Sequence, residues 1–82
     1  MRSPQMVLGE EVELDFAPNG KTAAVYTYNN CSIGNVSQGQ NDQEWYSSVK
    51  PDTLDSLQNQ LENLVRYARR MEAYKAACEV AS

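Results

Sequence analysis

Histidine is absent from the 82 residues of this sequence. Histidine is the usual general base, a common metal ligand and the usual partner of a nucleophilic serine or cysteine. The glycine-rich patterns G-x-x-x-x-G-K-[ST] and G-x-G-x-x-G are also missing, so no nucleotide-binding loop is indicated. We therefore predict a protein that is not an enzyme and that carries neither a metal nor a cofactor.

Cysteine is scarce too: Cys31 and Cys78 lie far apart and form no C-x-x-C pair, so neither a zinc nor a redox motif is indicated. We expect two reduced thiols, with a disulfide between the hairpin region and the helix end as the less favoured alternative. No stretch is apolar enough to cross a membrane, and residues 1–8 are unlike a signal peptide. The sequence predicts a cytoplasmic protein without membrane contact.

Basic residues are few: seven Lys and Arg stand against eleven Asp and Glu, which gives a net charge of −4. Non-specific nucleic-acid binding depends largely on Lys and Arg that neutralise phosphates. The balance therefore disfavours direct binding of nucleic acid. It favours attraction to basic surfaces, which include proteins that themselves bind DNA or RNA. A mildly acidic balance is also common in ordinary cytosolic proteins.

The longest pattern in the sequence is an apolar series at steps of three and four in the last third of the chain. Its members are Leu54, Leu57, Leu61, Leu64, Ala68 and Met71, and it runs on to Cys78 with Lys75 as its one interruption. This period predicts an amphipathic helix over residues 52–81. Pro51 is expected to end the preceding sheet, and Asp52 or Thr53 to cap the helix. So long a helix exceeds a small domain, so it either breaks near residues 69–73 or projects beyond the sheet.

Period-two alternation in the first half predicts strands. Val12, Leu14 and Phe16 point one way while three acidic residues point the other. Asn19-Gly20 is typical of a tight hairpin turn, and glycines at positions 34 and 39 suggest a bulge or an irregular edge. The predicted strands are residues 11–16, 22–28, 31–37 and 44–49, after a flexible lead-in at residues 1–9.

These elements together predict one domain of the α+β class. An antiparallel meander of three or four strands, over residues 10–49, packs against one long C-terminal helix. The apolar stripe of the helix would lie across the inner face of the sheet. A chain of this length buries only about 60–65% of its unfolded surface, so contacts with a partner could add to its stability.

Acidic and aromatic side chains suggest a binding surface. Glu11, Glu13 and Asp15 share one strand face, and the aromatic residues near them are too many for a small core. Paired carboxylates at this spacing can act on sugars or bind hard cations, but an exposed strand face without a cleft is normally just solvated. An acidic-aromatic surface would suit a basic protein, because Tyr and Trp are enriched where binding energy concentrates. The aromatic residues in question are Tyr26, Tyr28, Trp45 and Tyr46.

Three arginines cluster on the predicted helix. They either form a solvated basic edge that balances Glu62 and Glu72, or contact an acidic partner or a phosphate. The residues that we predict to contact a partner are Glu11, Glu13, Asp15, Tyr26, Tyr28, Tyr46, Arg66, Arg69 and Arg70.

The sequence favours a small acidic protein-binding module without enzymatic activity. Its partner is expected to be a protein with a basic surface. Size and charge are shared with phage and mobile-element inhibitors of CRISPR complexes and restriction enzymes, which block basic grooves; no motif aligns with a family. One alternative is a homodimeric structural or accessory protein that associates through the helix, whose stripe also fits a heptad. Another is a small ligand-binding domain with a pocket between sheet and helix.

Overall fold

A computed structural model describes residues 2–27, 30–39 and 44–71. Within them, six strands form one antiparallel sheet in sequence order, and a helix packs on one face of the sheet. The predicted α+β class and the antiparallel meander are confirmed, but three or four strands were too few. The elements are β1 (Arg2–Val7), β2 (Glu10–Phe16), β3 (Thr22–Thr27), β4 (Ser32–Gln38), β5 (Trp45–Ser47), β6 (Lys50–Asp55) and α1 (Leu57–Arg70).

The two unpredicted strands, β1 and β6, are the edges of the sheet. Residues 1–9 were predicted as a flexible lead-in, yet β1 pairs with β2 from Arg2 to Val7. Pro51 was expected to end the sheet, but it lies inside β6. Both edge strands contain a proline, at positions 4 and 51, and an edge tolerates proline because one side of its backbone needs no partner.

A two-residue turn joins β1 to β2. Leu8 and Gly9 both have positive φ, at 51° and 79°, as a two-residue hairpin turn of the primed type requires. The next hairpin follows the predicted turn: the Gly20 amide donates to the Ala17 carbonyl at 2.8 Å, and the Ala17 amide donates to the Thr22 carbonyl at 2.9 Å. Both turns set the register of β2, which carries the predicted acidic residues.

The core lies between the inner face of the sheet and α1. The alternation predicted for β2 is confirmed. Val12 and Leu14 are fully buried, whereas Glu11, which lies between Val12 and the turn at Leu8 and Gly9, is exposed. β3 and β4 continue this layer, and the helix closes it. The core residues are Val7, Val12, Leu14, Ala23, Val25, Ile33, Val36, Trp45, Leu61, Leu64, Val65 and Ala68.

The helix is shorter than predicted and begins later. α1 starts at Leu57, and the Ser56 side chain caps it by accepting a hydrogen bond from the Asn59 amide at 3.3 Å. Neither Asp52 nor Thr53 caps it, because both belong to β6. Leu54, the first residue of the predicted stripe, also lies in β6 and is 48% exposed.

The helix ends at Arg70, and Met71 is extended with φ −100° and ψ 121°. Fourteen residues make α1 about 21 Å long. A break near this point was one of the two predicted alternatives; residues 72–82, with Cys78, lie outside the described residues. α1 is neither long nor apolar enough to span a bilayer.

α1 approaches the backbone of the sheet closely at Gly34. Gly34 in β4 has φ 146°, and a Cβ built there would come within 2.6 Å of Leu64 Cδ2 and 2.8 Å of Ser48 Oγ. The register between β3 and β4 shifts nearby, between Val25 and Tyr26. The irregularity that the sequence predicts for this strand is therefore present, and it lets the helix approach the backbone.

Candidate functional site

The acidic residues of β2 lie on the face of the sheet opposite α1, which we call the outer face. Glu11 is exposed, and Glu13 and Asp15 are half-buried. Alternate residues of a strand are about 7 Å apart, so the three carboxylates form a row about 14 Å long. Within residues 2–27, 30–39 and 44–71, no helix or second sheet lies over this row. The sequence predicted this placement.

β1 brings a second row of side chains beside the carboxylates. Arg2 lies opposite Asp15, Pro4 opposite Glu13, and Met6 opposite Glu11. Directly opposed residues of an antiparallel pair share a face. Met6 is 63% exposed, so the carboxylate row is bordered by apolar surface at one end and by a cation at the other.

Arg2 is a part of the outer face that sequence reasoning missed. Its guanidinium lies 4.2 Å from the centre of the Tyr26 ring and donates to Asn30 Oδ1 at 2.5 Å. A cation over an aromatic face is attracted by the ring quadrupole. Arg2 therefore covers one side of the predicted binding residue Tyr26 and offsets one of the three negative charges. The signal that could have revealed β1 is Gly9, which ends an X-Gly turn just before the alternating strand.

The aromatic residues divide between the two faces. Trp45 is buried in the core. Tyr46 lies opposite Ser37 on the outer face and is half-buried. Tyr26 lies opposite Glu13 and is half-buried as well. Two of the three predicted tyrosines thus share the outer face with the carboxylates, and Tyr28 lies outside the described residues.

A hollow of about 510 Å³ opens at the end of the sheet where β2, β3 and β4 meet. Asp15, Ala24 and Asn35 lie side by side across these strands. The small side chains of Ala24 and its neighbours leave the space, and Asp15 places a carboxylate at its rim. The full lining is Asp15, Phe16, Ala17, Thr22, Ala23, Ala24, Asn35 and Ser37.

The three helix arginines differ in what they contact. The Arg69 Nε donates to Glu10 Oε2 at 2.9 Å, and its terminal nitrogen donates to the Leu8 carbonyl at 2.7 Å. Arg69 thereby joins the helix to the turn between β1 and β2. Arg66 and Arg70 instead line a separate cavity. Arg66 and Arg69 are neighbours on the helix surface at i, i+3, so what separates the three arginines is their contacts.

Potential metal ligands are dispersed among the described residues. No group of three or more His, Cys, Asp or Glu side chains among them is placed to hold a metal ion. Cys31 is buried beside the inner layer. What the outer face does provide is a row of carboxylates, two tyrosines, an exposed methionine and a hollow, which is chemistry suited to contact with another molecule.

Comparison of the chain with protein-family models, with curated proteins and with solved structures gave no match.

Proposed function

We propose that this protein is a non-enzymatic binding module whose outer face docks on a basic surface of another protein. The observation that carries the proposal is the carboxylate row of β2 on the side of the sheet that no helix or strand among residues 2–27, 30–39 and 44–71 covers. The backbone of all three residues is paired with β1, and that of Glu13 and Asp15 is also paired with β3. A rigid row costs little conformational entropy on binding, which favours affinity.

The charge balance of the chain supports a basic partner. The net charge of −4 repels nucleic acid and speeds encounter with cationic surfaces. Arg2 offsets one carboxylate, so the described part of the outer face keeps an acidic excess. The attraction is expected to weaken at high salt, because exposed charges are screened over about 10 Å at 0.1 M ionic strength.

Apolar and aromatic groups would add contact area to the charged row. Tyr46 and the exposed Met6 lie on the same face as the carboxylates. Interfaces are enriched in Tyr and Met, and a few such anchors usually carry most of the binding energy. The hollow beside Asp15, about 510 Å³ in volume, offers space and a carboxylate for a Lys or Arg side chain of the partner.

A finer form of the proposal is an inhibitor that occupies a basic, nucleic-acid-binding groove of its target. An acidic row on a small rigid sheet would compete with nucleic acid for the same cations. This form rests on charge and size. It predicts that binding of the module and binding of nucleic acid to the target are mutually exclusive.

The test is a charge reversal of the row. The triple variant Glu11→Lys, Glu13→Lys, Asp15→Lys is expected to weaken partner binding at least about tenfold, since each lost charge contact contributes on the order of 1 kcal/mol. The partner is identified by pull-down from the source organism and mass spectrometry. The dissociation constant is then measured with purified proteins by titration calorimetry.

A matched control keeps the change in net charge but moves it off the outer face. Asp52→Lys, Asp55→Lys, Glu62→Lys alters the chain by the same six charges in β6 and α1. Circular dichroism checks that both triple variants fold, and Glu11→Gln, Glu13→Gln, Asp15→Asn replaces the reversal if Lys at position 15 disturbs Arg2. Unchanged affinity in the outer-face variants, or equal loss in the control, would rule the proposal out.

A further inference from the structure

A second cavity, of about 260 Å³, lies between α1 and the turn that joins β5 to β6. The helix residues that line it are spaced at i, i+3, i+4 and i+7, so they form one face of α1. The helix contributes two cations, Arg66 and Arg70, and Lys50, which follows the turn, contributes a third from the opposite wall. The lining is Val49, Lys50, Asn63, Arg66, Tyr67 and Arg70.

The turn that presents Lys50 is fixed to the sheet by its own bonds. The Ser48 amide donates to the Asn35 carbonyl at 2.8 Å, and the Ser48 Oγ accepts from the Asn35 amide at 3.2 Å. Val49 packs against the core, and Lys50 pairs with Ser47 across the hairpin. The backbone of Lys50 is therefore held in place at the edge of the cavity.

The cavity concentrates positive charge in a chain that is acidic overall. Arg66 lies 3.5 Å from both Glu62 and Asn63, a long and half-exposed contact. No carboxylate of the described residues forms an ion pair with Lys50 or Arg70. Glu62 offsets part of the charge of Arg66, but Lys50 and Arg70 keep the cavity positively charged, and an anion bound there would reduce the repulsion between the cations.

We propose that this cavity binds the phosphate group of a small phosphomonoester. The guanidinium groups of Arg66 and Arg70 match phosphate oxygens in a two-bond geometry, and Lys50 adds a point charge from the other wall. The Asn63 amide and the Tyr67 hydroxyl are further donors.

The volume limits the rest of the ligand. Pockets for drug-sized molecules span about 300–1,000 Å³, so a cavity of about 260 Å³ suits a phosphate joined to a single ring. The Tyr67 ring, 44% exposed, is open to such a ring for stacking. This site shares no residue with the outer face, so its success or failure is independent of the proposed docking function.

The experiment titrates the full ¹⁵N-labelled chain with phenyl phosphate, inorganic phosphate and phenol, followed by amide chemical shifts. Saturable shifts are expected at Lys50, Asn63 and Tyr67 with phenyl phosphate, and weaker ones with inorganic phosphate. Phenol, which lacks the charge, is expected to give none. Equal affinities for phenyl phosphate and inorganic phosphate would overturn the phosphomonoester assignment, and the absence of saturable shifts at these residues would overturn the site.

Three variants test the roles of the lining residues. Lys50→Gln and Arg70→Gln are each expected to weaken phenyl phosphate binding about tenfold, because each removes a charge-assisted hydrogen bond to the phosphate. Tyr67→Leu is expected to reduce the preference for phenyl phosphate over inorganic phosphate. Thermal unfolding of each variant verifies that the fold is kept.

The control is Lys21→Gln, which removes the same charge from the exposed turn between β2 and β3. It is expected to leave the affinity unchanged. A loss in Lys21→Gln equal to that in Arg70→Gln would show that the whole molecule's charge, rather than the cavity, attracts the anion, and would overturn the proposal.

Discussion

Leu8 occupies a backbone conformation that few side chains tolerate, with φ at 51° in the turn between β1 and β2. The left-handed region costs an L-residue about 1–2 kcal/mol. Two features hold it there: Gly9 supplies the second positive φ without strain, and Arg69 binds the Leu8 carbonyl at 2.7 Å. The turn therefore stores strain that the contact with the helix offsets.

Replacing this residue with one that enters the left-handed region easily is expected to stabilise the protein. Leu8→Asn should raise the free energy of unfolding by about 0.5–1 kcal/mol, since Asn-Gly is a favoured pair in such turns. The carbonyl that Arg69 binds is kept. Urea unfolding followed by circular dichroism measures the change, and about 1 kcal/mol would shift the Tm of a domain this size by about 4–8 °C.

Leu8→Val provides the opposite control, because a branched Cβ tolerates positive φ worse than Leu does. It is expected to lower the free energy of unfolding. If Leu8→Asn were the less stable of the two, the side-chain contacts of Leu8 would outweigh its backbone strain, and the interpretation of the turn would be wrong.

At the scale of elements, the packing of α1 on the sheet depends on the missing side chain at position 34. A Cβ there would lie 2.6 Å from Leu64 Cδ2, and φ of 146° is strained for any other residue. Gly34→Ala is therefore expected to lower the free energy of unfolding by about 2–3 kcal/mol, through overpacking and backbone strain together. Chemical denaturation of both proteins measures the difference.

Gly39→Ala is a matched control, because Gly39 directly follows β4, the strand that contains Gly34. A Cβ at Gly39 would lie 3.6 Å from the Glu44 carbonyl oxygen and from Leu54 Cδ2, which is ordinary contact. This variant should change stability by less than about 1 kcal/mol. Equal losses at the two glycines would mean that the approach of α1 does not decide the cost.

The elements also differ in how far the sequence predicted them. The alternation in β2 and the leucines of α1 bury opposite sides of one core, so both patterns were visible. β1 was hidden because its inner-facing Ser3 and Gln5 are polar, and β6 because Pro51 suggests a boundary. Leu54 happens to be in phase with the helix, which moved the predicted helix start four residues before the Ser56 cap.

The same omissions limited the prediction of the sites. The carboxylate row follows from local alternation and was predicted in full. Arg2 lies on the outer face in β1, and Lys50 lines the cavity beside α1 from β6. Both were missed because neither strand was predicted. Arg69 was grouped with Arg66 and Arg70, but it contacts Glu10 and the Leu8 carbonyl while they line the cavity. The positions of these residues depend on long-range contacts between strands and helix, which a local sequence pattern does not reveal.

At the scale of the whole molecule, Leu61 and Leu64, which we call the leucine ridge of α1, pack against the chain's own sheet. Leu61 and Leu64 are 0% exposed against the sheet. A homodimer through this ridge would have to open the core. We therefore expect the full chain, without a partner, to have the mass of a single chain by size exclusion with light scattering.

A dilution series serves as the control for weak association in this measurement. A dimer that persists on dilution would contradict the expectation. It would favour the alternative function, a homodimeric structural protein that associates through surfaces such as the exposed Tyr67 and Met71.

The prolines at positions 4 and 51 have a consequence for how other proteins can be recognised. Many domains capture extended peptides by letting them join the sheet as an extra strand, so that main-chain bonds supply affinity regardless of side chains. Here each border of the sheet carries an imino acid that interrupts such a ladder, and this discourages β-augmentation as well as cross-β stacking between copies. For the proposed docking function, selectivity would then depend on side chains, so single substitutions would be able to change it.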